Sequence, residues 1–161
     1  GGEGGWRWAF PIASMTPKSS GTVRLRSSNP QDRPLIDHRY LQDPWGCDRA
    51  VLLAGIDRAR EIIGASPLRE LLGPELSPGP GNGDLAGWID ATCAHYYHPV
   101  GTCAMGREGD PAAVTDARGK VHGIDNLFVA DCSIMPAVPR ANTNIPAVVV
   151  GERVARWLLD A

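Results

Sequence analysis

The sequence holds no run of ~18 or more apolar residues, so no segment of it can cross a membrane as a helix. It opens on GGEGGWRWAF, without the apolar h-region of a secretory signal and without Met; the expectation is a processed chain or a piece of something longer. It has no excess charge of either sign. Sixteen Lys+Arg stand against 18 Asp+Glu, a net charge of −2, which gives no reason to expect nucleic acid or an anionic membrane surface as partner. The four cysteines, at 47, 93, 103 and 132, form no CxxC pair and match no zinc-finger spacing. They read as reduced, mostly buried small hydrophobes, with a reducing cytoplasm as the expected compartment.

What is abundant is glycine (19) and proline (14), together about a fifth of the 161 residues. That exceeds the usual ~12% but stays below the ~25–30% of low-complexity chains. With 43% hydrophobic residues, the chain is expected to form one turn-rich globular domain, burying about 68–70% of its unfolded surface.

The alternation in TVRLRS (22–27) predicts a short strand with Val23 and Leu25 on one face. Asn29-Pro30 and Arg33-Pro34 punctuate a loop before LID (35–37). A helix is predicted over residues 48–63, where Val51, Leu52, Ala59, Ile62 and Ile63 recur at helical spacing and Gly64 and Pro67 stop it. GPELSPGPGNG (73–83) is a loop by composition, after which Asp84 caps a helix burying Leu85, Trp88, Ile89 and Thr92. Short strand-like runs follow at 112–115, 119–123 and 126–131, the last read as a buried strand. A final helix starts near Asn144 as N-cap, takes Pro146 in its first turn and runs to about Leu159, with Gly151 marking close packing. Short strands mixed with three helices give an α+β fold.

Two metal- or phosphate-like patterns dissolve on inspection. Residues 81–86 fit G-x-G-x-x-A, but LSPGP precedes them where a dinucleotide site needs a hydrophobic strand, so the segment reads as a surface turn. His95 and His98 lie near Cys93 and Cys103, yet Pro99 keeps His98 out of a helix interior and no carboxylate is close in sequence, so no metal site is expected.

Two segments carry chemistry. In HYYHPVGTCAMG (95–106), His98 is restrained by Pro99 and a glycine-bearing turn, and a pre-organised imidazole suits general-base work; the alternative is a structural histidine in a tight turn. In VADCSIMPAVPRANTNIPAVVV (129–150), Asp131 ends an apolar run and can accept hydrogen bonds from ribose- or ribityl-like hydroxyls. The helix start near Asn144 presents N–H groups and a positive dipole end, suited to an anionic group or to electron density on a bound heterocycle. Ordinary capping by Asn144, with Asn142 as a turn former, is the simpler reading of that segment alone.

Taken together, YYHPVGTCAMG (96–106) and VTDARGKVHGIDNLFVADCSIMPAVPRANTNIPAVVVGERVARWL (114–158) resemble the C-terminal part of the glucose–methanol–choline (GMC) family of flavin-dependent oxidoreductases, and SSGTVRLRSSNPQDRPLIDHRYL (19–41) resembles the strand and turn that begin this region. The resemblance implies an antiparallel-sheet portion of a substrate domain over residues 1–125. Residues 126–161 would then be the strand and helix that return to a Rossmann-like FAD domain, whose glycine fingerprint this sequence lacks. It implies oxidation of an alcohol, with His98 removing the hydroxyl proton while hydride passes to flavin N5. Asn142 would bind the substrate oxygen, an Asn there being the choline-dehydrogenase-like variant. Asp131, Cys132, Asn144 and Ile145 would contact FAD. The implied partners are a small alcohol and the upstream FAD-binding domain of the same enzyme. Cys132 stands where the family often has Ala, and Arg140-Ala141 replaces a common Ser-Gly, which leaves the substrate open. The competing expectation is a non-catalytic interaction or structural module, or an inactive fragment.

Overall fold

The structure, a computed structural model, describes residues 5–160. Where length suggested one domain, the described residues form two compact units: 5–20 with 39–94, and 21–38 with 95–160. The physical reason is visible in the cores. Among the described residues the buried hydrophobic side chains are Ile56 and Ile89 in the first unit and Ile134 and Val154 in the second.

The first unit is helical: α1 (Cys47–Ile63), α2 (Leu68–Leu71) and α3 (Leu85–Thr92), with α2 and α3 both packed on α1. The buried stripe of α1 is centred on Ile56, with Leu52, Ala59 and Ile63 half-buried around it. That spacing of four, three and four residues is one helical face. Val51 and Ile62, expected in the stripe, fall off its edge and are each 49% exposed. Gly64 ends α1 as expected, donating its N–H to the Arg60 carbonyl at 2.9 Å. Asp84 caps α3, its carboxylate accepting the Gly87 N–H at 2.8 Å. Ile89 is the buried residue of α3, Leu85 and Trp88 are half-buried, and Thr92 is exposed, its hydroxyl bonding back to the Trp88 carbonyl. The segment at 81–86 is a turn leading into α3, as expected. Arg60 grips the long loop before it, donating to both Glu75 carboxylate oxygens (3.0 and 3.1 Å) and to the Gly79 carbonyl.

The second unit contains a two-stranded antiparallel sheet, β1 (Thr22–Arg24) and β2 (Leu35–Asp37), with Val23 opposite Ile36. It also contains a single 3-10 turn (Cys132–Ile134) and α4 (Asn144–Leu159). The buried strand expected over residues 126–131 does not form. Phe128 makes one isolated bridge to Lys120, and Val129 donates to the Gly119 carbonyl at 2.8 Å. Asn126 interrupts the extended run with a left-handed backbone (φ 59°), and Asp131 turns away to cap the 3-10 turn. The residues at 112–115 and 119–123 likewise pair only through isolated bridges, Met105–Thr115 and Thr115–Val121. Helix α4 begins one residue earlier than a cap at Asn144 would require: Thr143 is the N-cap and Asn144 the first helical residue. At Gly151, a Cβ would sit an ordinary 3.6 Å from the Ala130 carbonyl oxygen, so close packing does not require glycine there. The four cysteines are unpaired, but Cys47 is exposed and the others half-buried rather than buried. No helix among the described residues is long and apolar enough to cross a membrane.

Candidate functional site

Three segments of the second unit meet around His98. The first is the turn that carries it. Tyr97 is held in a left-handed backbone (φ 59°), a conformation costing ~1–2 kcal/mol for a residue with a Cβ, and Pro99 restricts His98 to extended geometry. Gly101 then turns the chain at φ 86°, with room for a Cβ only 3.3 Å from the Met135 carbonyl oxygen. The second segment is the 3-10 turn, stitched to the first by Cys103 N–H to the Ser133 carbonyl (2.9 Å) and Met105 N–H to the Ile134 carbonyl (2.8 Å). The third is the 142–144 turn at the start of α4, which packs on the 3-10 turn.

The junction closes on Thr143, which is only 6% exposed. Its hydroxyl lies 3.0 Å from His98 Nδ1, and its N–H points at the same nitrogen from 3.4 Å. The Cys132 thiol donates to its carbonyl at 3.5 Å. The Tyr96 ring meets the His98 ring edge-on at 5.4 Å. A threonine at an N-cap ordinarily turns its hydroxyl onto the N–H two or three residues ahead. Here that hydroxyl is committed to His98, and α4 has no side-chain cap. The helix start therefore keeps its unsatisfied N–H groups and positive dipole end, with Asn144 exposed and Ile145 69% exposed beside it.

All six residues singled out from sequence lie on these segments. His98 is half-buried at the centre. Asn142 is exposed and adjacent in chain to the histidine's partner, while Asn144 and Ile145 form the open first turn of α4. Cys132 is half-buried and tied to Thr143. Asp131 is exposed, with one carboxylate oxygen accepting the Ser133 N–H at 2.7 Å and thereby fixing the 3-10 turn. Its role as the end of a strand is replaced by this cap. The residue sequence reasoning missed is Thr143. Nothing in spacing links positions so far apart, although the alternating exposure expected of an Asn-Thr-Asn turn points the middle side chain away from the other two. His95 stacks on His38 and meets Tyr97 edge-on, and among the described residues no group of three or more His, Cys, Asp or Glu is arranged to hold a metal ion.

The fold is shared with part of several oxidoreductases of known structure. The chain is similar to pyridoxine 4-oxidase from Mesorbium loti, with TM-score 0.78 at 33% identity over 91% of this chain and 28% of that one. It is also similar to the formate oxidase of Aspergillus oryzae RIB40, a structure concerned with FAD modification, with TM-score 0.78 at 26% identity over 88% of this chain and 25% of that one. The family model of the GMC oxidoreductase C-terminal region matches residues 17–151, and the chain belongs to the GMC oxidoreductase family. Choline oxidase of Arthrobacter globiformis is 43% identical over 156 residues, 92% of this chain and 29% of that protein. The chain thus spans less than a third of the length of the relatives it matches.

Proposed function

We propose that this chain supplies the substrate-facing and flavin-facing C-terminal part of an FAD-dependent oxidoreductase acting on the CH–OH group of alcohols. The observation that carries the reading is the diversion of the Thr143 hydroxyl from its capping role to His98 Nδ1. One side chain fixes an imidazole and leaves the adjacent helix start open.

The residues around that helix start suit a flavin. An uncapped end of a 16-residue helix favours negative charge, and the exposed Ile145, with Val148 and Val149 farther along α4 (57% and 61% exposed), offers apolar surface to a ring. Asn144 and Ile145 are the residues we assign to its pyrimidine edge, with Asp131 and Cys132 beside them. A bound flavin supplies the hydride acceptor, N5, for the substrate carbon. The remaining chemistry belongs to this chain. His98 takes the hydroxyl proton at Nε2, the nitrogen that does not face Thr143. The Asn142 amide donates to the substrate oxygen as negative charge gathers there.

In this reading residues 1–125 belong to the substrate-binding portion and residues 126–161 return the chain to the FAD-binding domain, which is the protein partner. Activity requires that domain, and these 161 residues alone are expected to be colourless and inactive. The unpaired thiols suit a reducing cytoplasm.

The test is stopped-flow reduction of the flavin-loaded enzyme by a panel of small alcohols. His98→Ala is expected to slow flavin reduction by ~10²–10⁴-fold while leaving flavin content unchanged. An unaltered reduction rate removes His98 from the chemistry.

A further inference from the structure

We propose that Thr143 is the positioning residue that sets the tautomer of His98, its hydroxyl accepting the hydrogen bond donated by Nδ1–H so that Nε2 is left bare as the proton acceptor. The inference rests on the reading of His98 as the base, and deepens it.

The argument starts from the two Thr143 groups that face one nitrogen. A neutral imidazole carries its proton on Nδ1 or on Nε2, and only the bare nitrogen can take a proton from substrate. The Thr143 N–H, 3.4 Å from Nδ1, can only donate, so it favours a bare Nδ1 and a protonated Nε2. That tautomer cannot act as a base at Nε2. The Thr143 hydroxyl, at 3.0 Å, can donate or accept. It is the closer of the two and, of the two groups facing Nδ1, the one able to accept a hydrogen bond from it. The base-competent tautomer therefore depends on this hydroxyl. When His98 takes the substrate proton, both ring nitrogens become donors; the hydroxyl then accepts from Nδ1, and the weaker contact from the Thr143 N–H is given up.

The surroundings hold this arrangement in place. Thr143 is buried at 6% exposure, so water competes poorly for its hydroxyl. The Cys132 thiol holds its carbonyl, and the hydrogen bond from Ala147 N–H to that carbonyl (2.8 Å) anchors the residue in the first turn of α4. The Tyr96 ring packs edge-on against the imidazole. Thr143 enters α4 with a helical backbone (φ −83°, ψ −2°), from which its hydroxyl does not cap the helix and is left to His98.

The test is nitrogen NMR of the flavin-loaded enzyme labelled with ¹⁵N in its histidine side chains, with His98→Asn used to assign the signals. The native enzyme is expected to show a protonated Nδ1 and a bare Nε2 at a pH where the ring is neutral. Thr143→Val keeps the buried shape but removes the acceptor, and is expected to move the proton to Nε2 and slow flavin reduction on the order of 10²-fold. Thr143→Ser keeps the hydroxyl and is expected to restore both the tautomer and most of the rate. A native enzyme with its proton on Nε2, or a Thr143→Val enzyme with an unchanged tautomer, overturns the proposal. Failure of the underlying reading is separable: it shows as unimpaired flavin reduction in His98→Ala, whatever the ring signals report.

Discussion

The Asp43 carboxylate accepts the backbone N–H groups of both Cys47 (2.6 Å) and Asp48 (3.2 Å), so one buried aspartate caps the helix on which a second is carried. Asp48 in turn accepts the N–H groups of Lys18 and Ser19, each at 2.8 Å, and ties the extended 18–19 segment to α1. Gly46, the formal N-cap, has no side chain to offer, which is why the cap comes from three residues earlier. Replacing Asp43 by Ala is expected to cost about 1–2 kcal/mol, the range of a lost helix cap. Asp48→Ala is expected to cost about 3 kcal/mol, because two charge-assisted bonds to partly buried backbone are lost together. Urea denaturation followed by circular dichroism measures both, and an Asp48→Ala midpoint equal to that of the parent removes this account.

The same carboxylate makes the first unit acid-sensitive. Burial by itself pushes the Asp48 carboxyl up, but hydrogen bonds from the Ser19 side chain and from the Lys18 and Ser19 backbone, with the Lys18 charge, outweigh it and hold the group below the ordinary aspartate range. The folded state therefore binds fewer protons than the unfolded state between the two values. The contribution is complete above the unfolded value of about 4 and is lost as pH falls through the lower folded value. Urea midpoints are expected to change little from this group above about pH 5 and to drop below about pH 4, with Asp48→Asn flattening that drop. An equally steep acid slope in Asp48→Asn assigns the sensitivity elsewhere.

Gly119 supports the second unit from beneath. It turns at φ 83°, and a Cβ there would stand 2.5 Å from the Val129 carbonyl oxygen and 3.3 Å from Val154, the most buried apolar residue. The Val129 N–H bonds to the Gly119 carbonyl, so the backbones cannot separate without losing that bond. Gly119→Ala combines an unfavourable backbone with a backbone clash and is expected to cost at least about 2 kcal/mol. Thermal unfolding monitored by circular dichroism is the measurement.

Asn142 offers the opposite case, a substitution expected to spare the fold and, on the proposed function, to impair the chemistry. Its side chain is exposed, and no hydrogen bond from it supports the structure described. Asn142→Ala is expected to leave the unfolding free energy from urea denaturation within about 0.5 kcal/mol of the parent. It is expected to reduce kcat/KM for alcohols by ~10²–10³-fold, the usual loss of one oxyanion donor. Equal losses of stability and rate would make Asn142 a structural turn residue.

Local signals proved legible wherever a single segment contained the whole cause. The end of α1 at Gly64, the Asp84 cap and the extent of α4 to Leu159 all followed from residues adjacent in sequence. Where a second segment was needed, reading failed in characteristic ways. Residues 126–131 are apolar and β-prone, but a strand exists only with a neighbour to share its ladder, and Phe128 finds a single bridge. Asn144 looked like the better cap, yet the N-cap is Thr143, because the position of a cap depends on where the incoming chain turns.

The sequence by itself determined the family and the α+β mixture of elements, since these reside in residue order and in motifs such as HPVGT and NTN. Only the tertiary structure decided that the chain divides into two units, and that Thr143, forty-five residues from His98, is its hydrogen-bond partner. The physical reason is that a hydroxyl's choice between capping its own helix and holding a distant imidazole is made by burial and by the hydrogen bonds that bring segments together. Neither is written in the local order of residues.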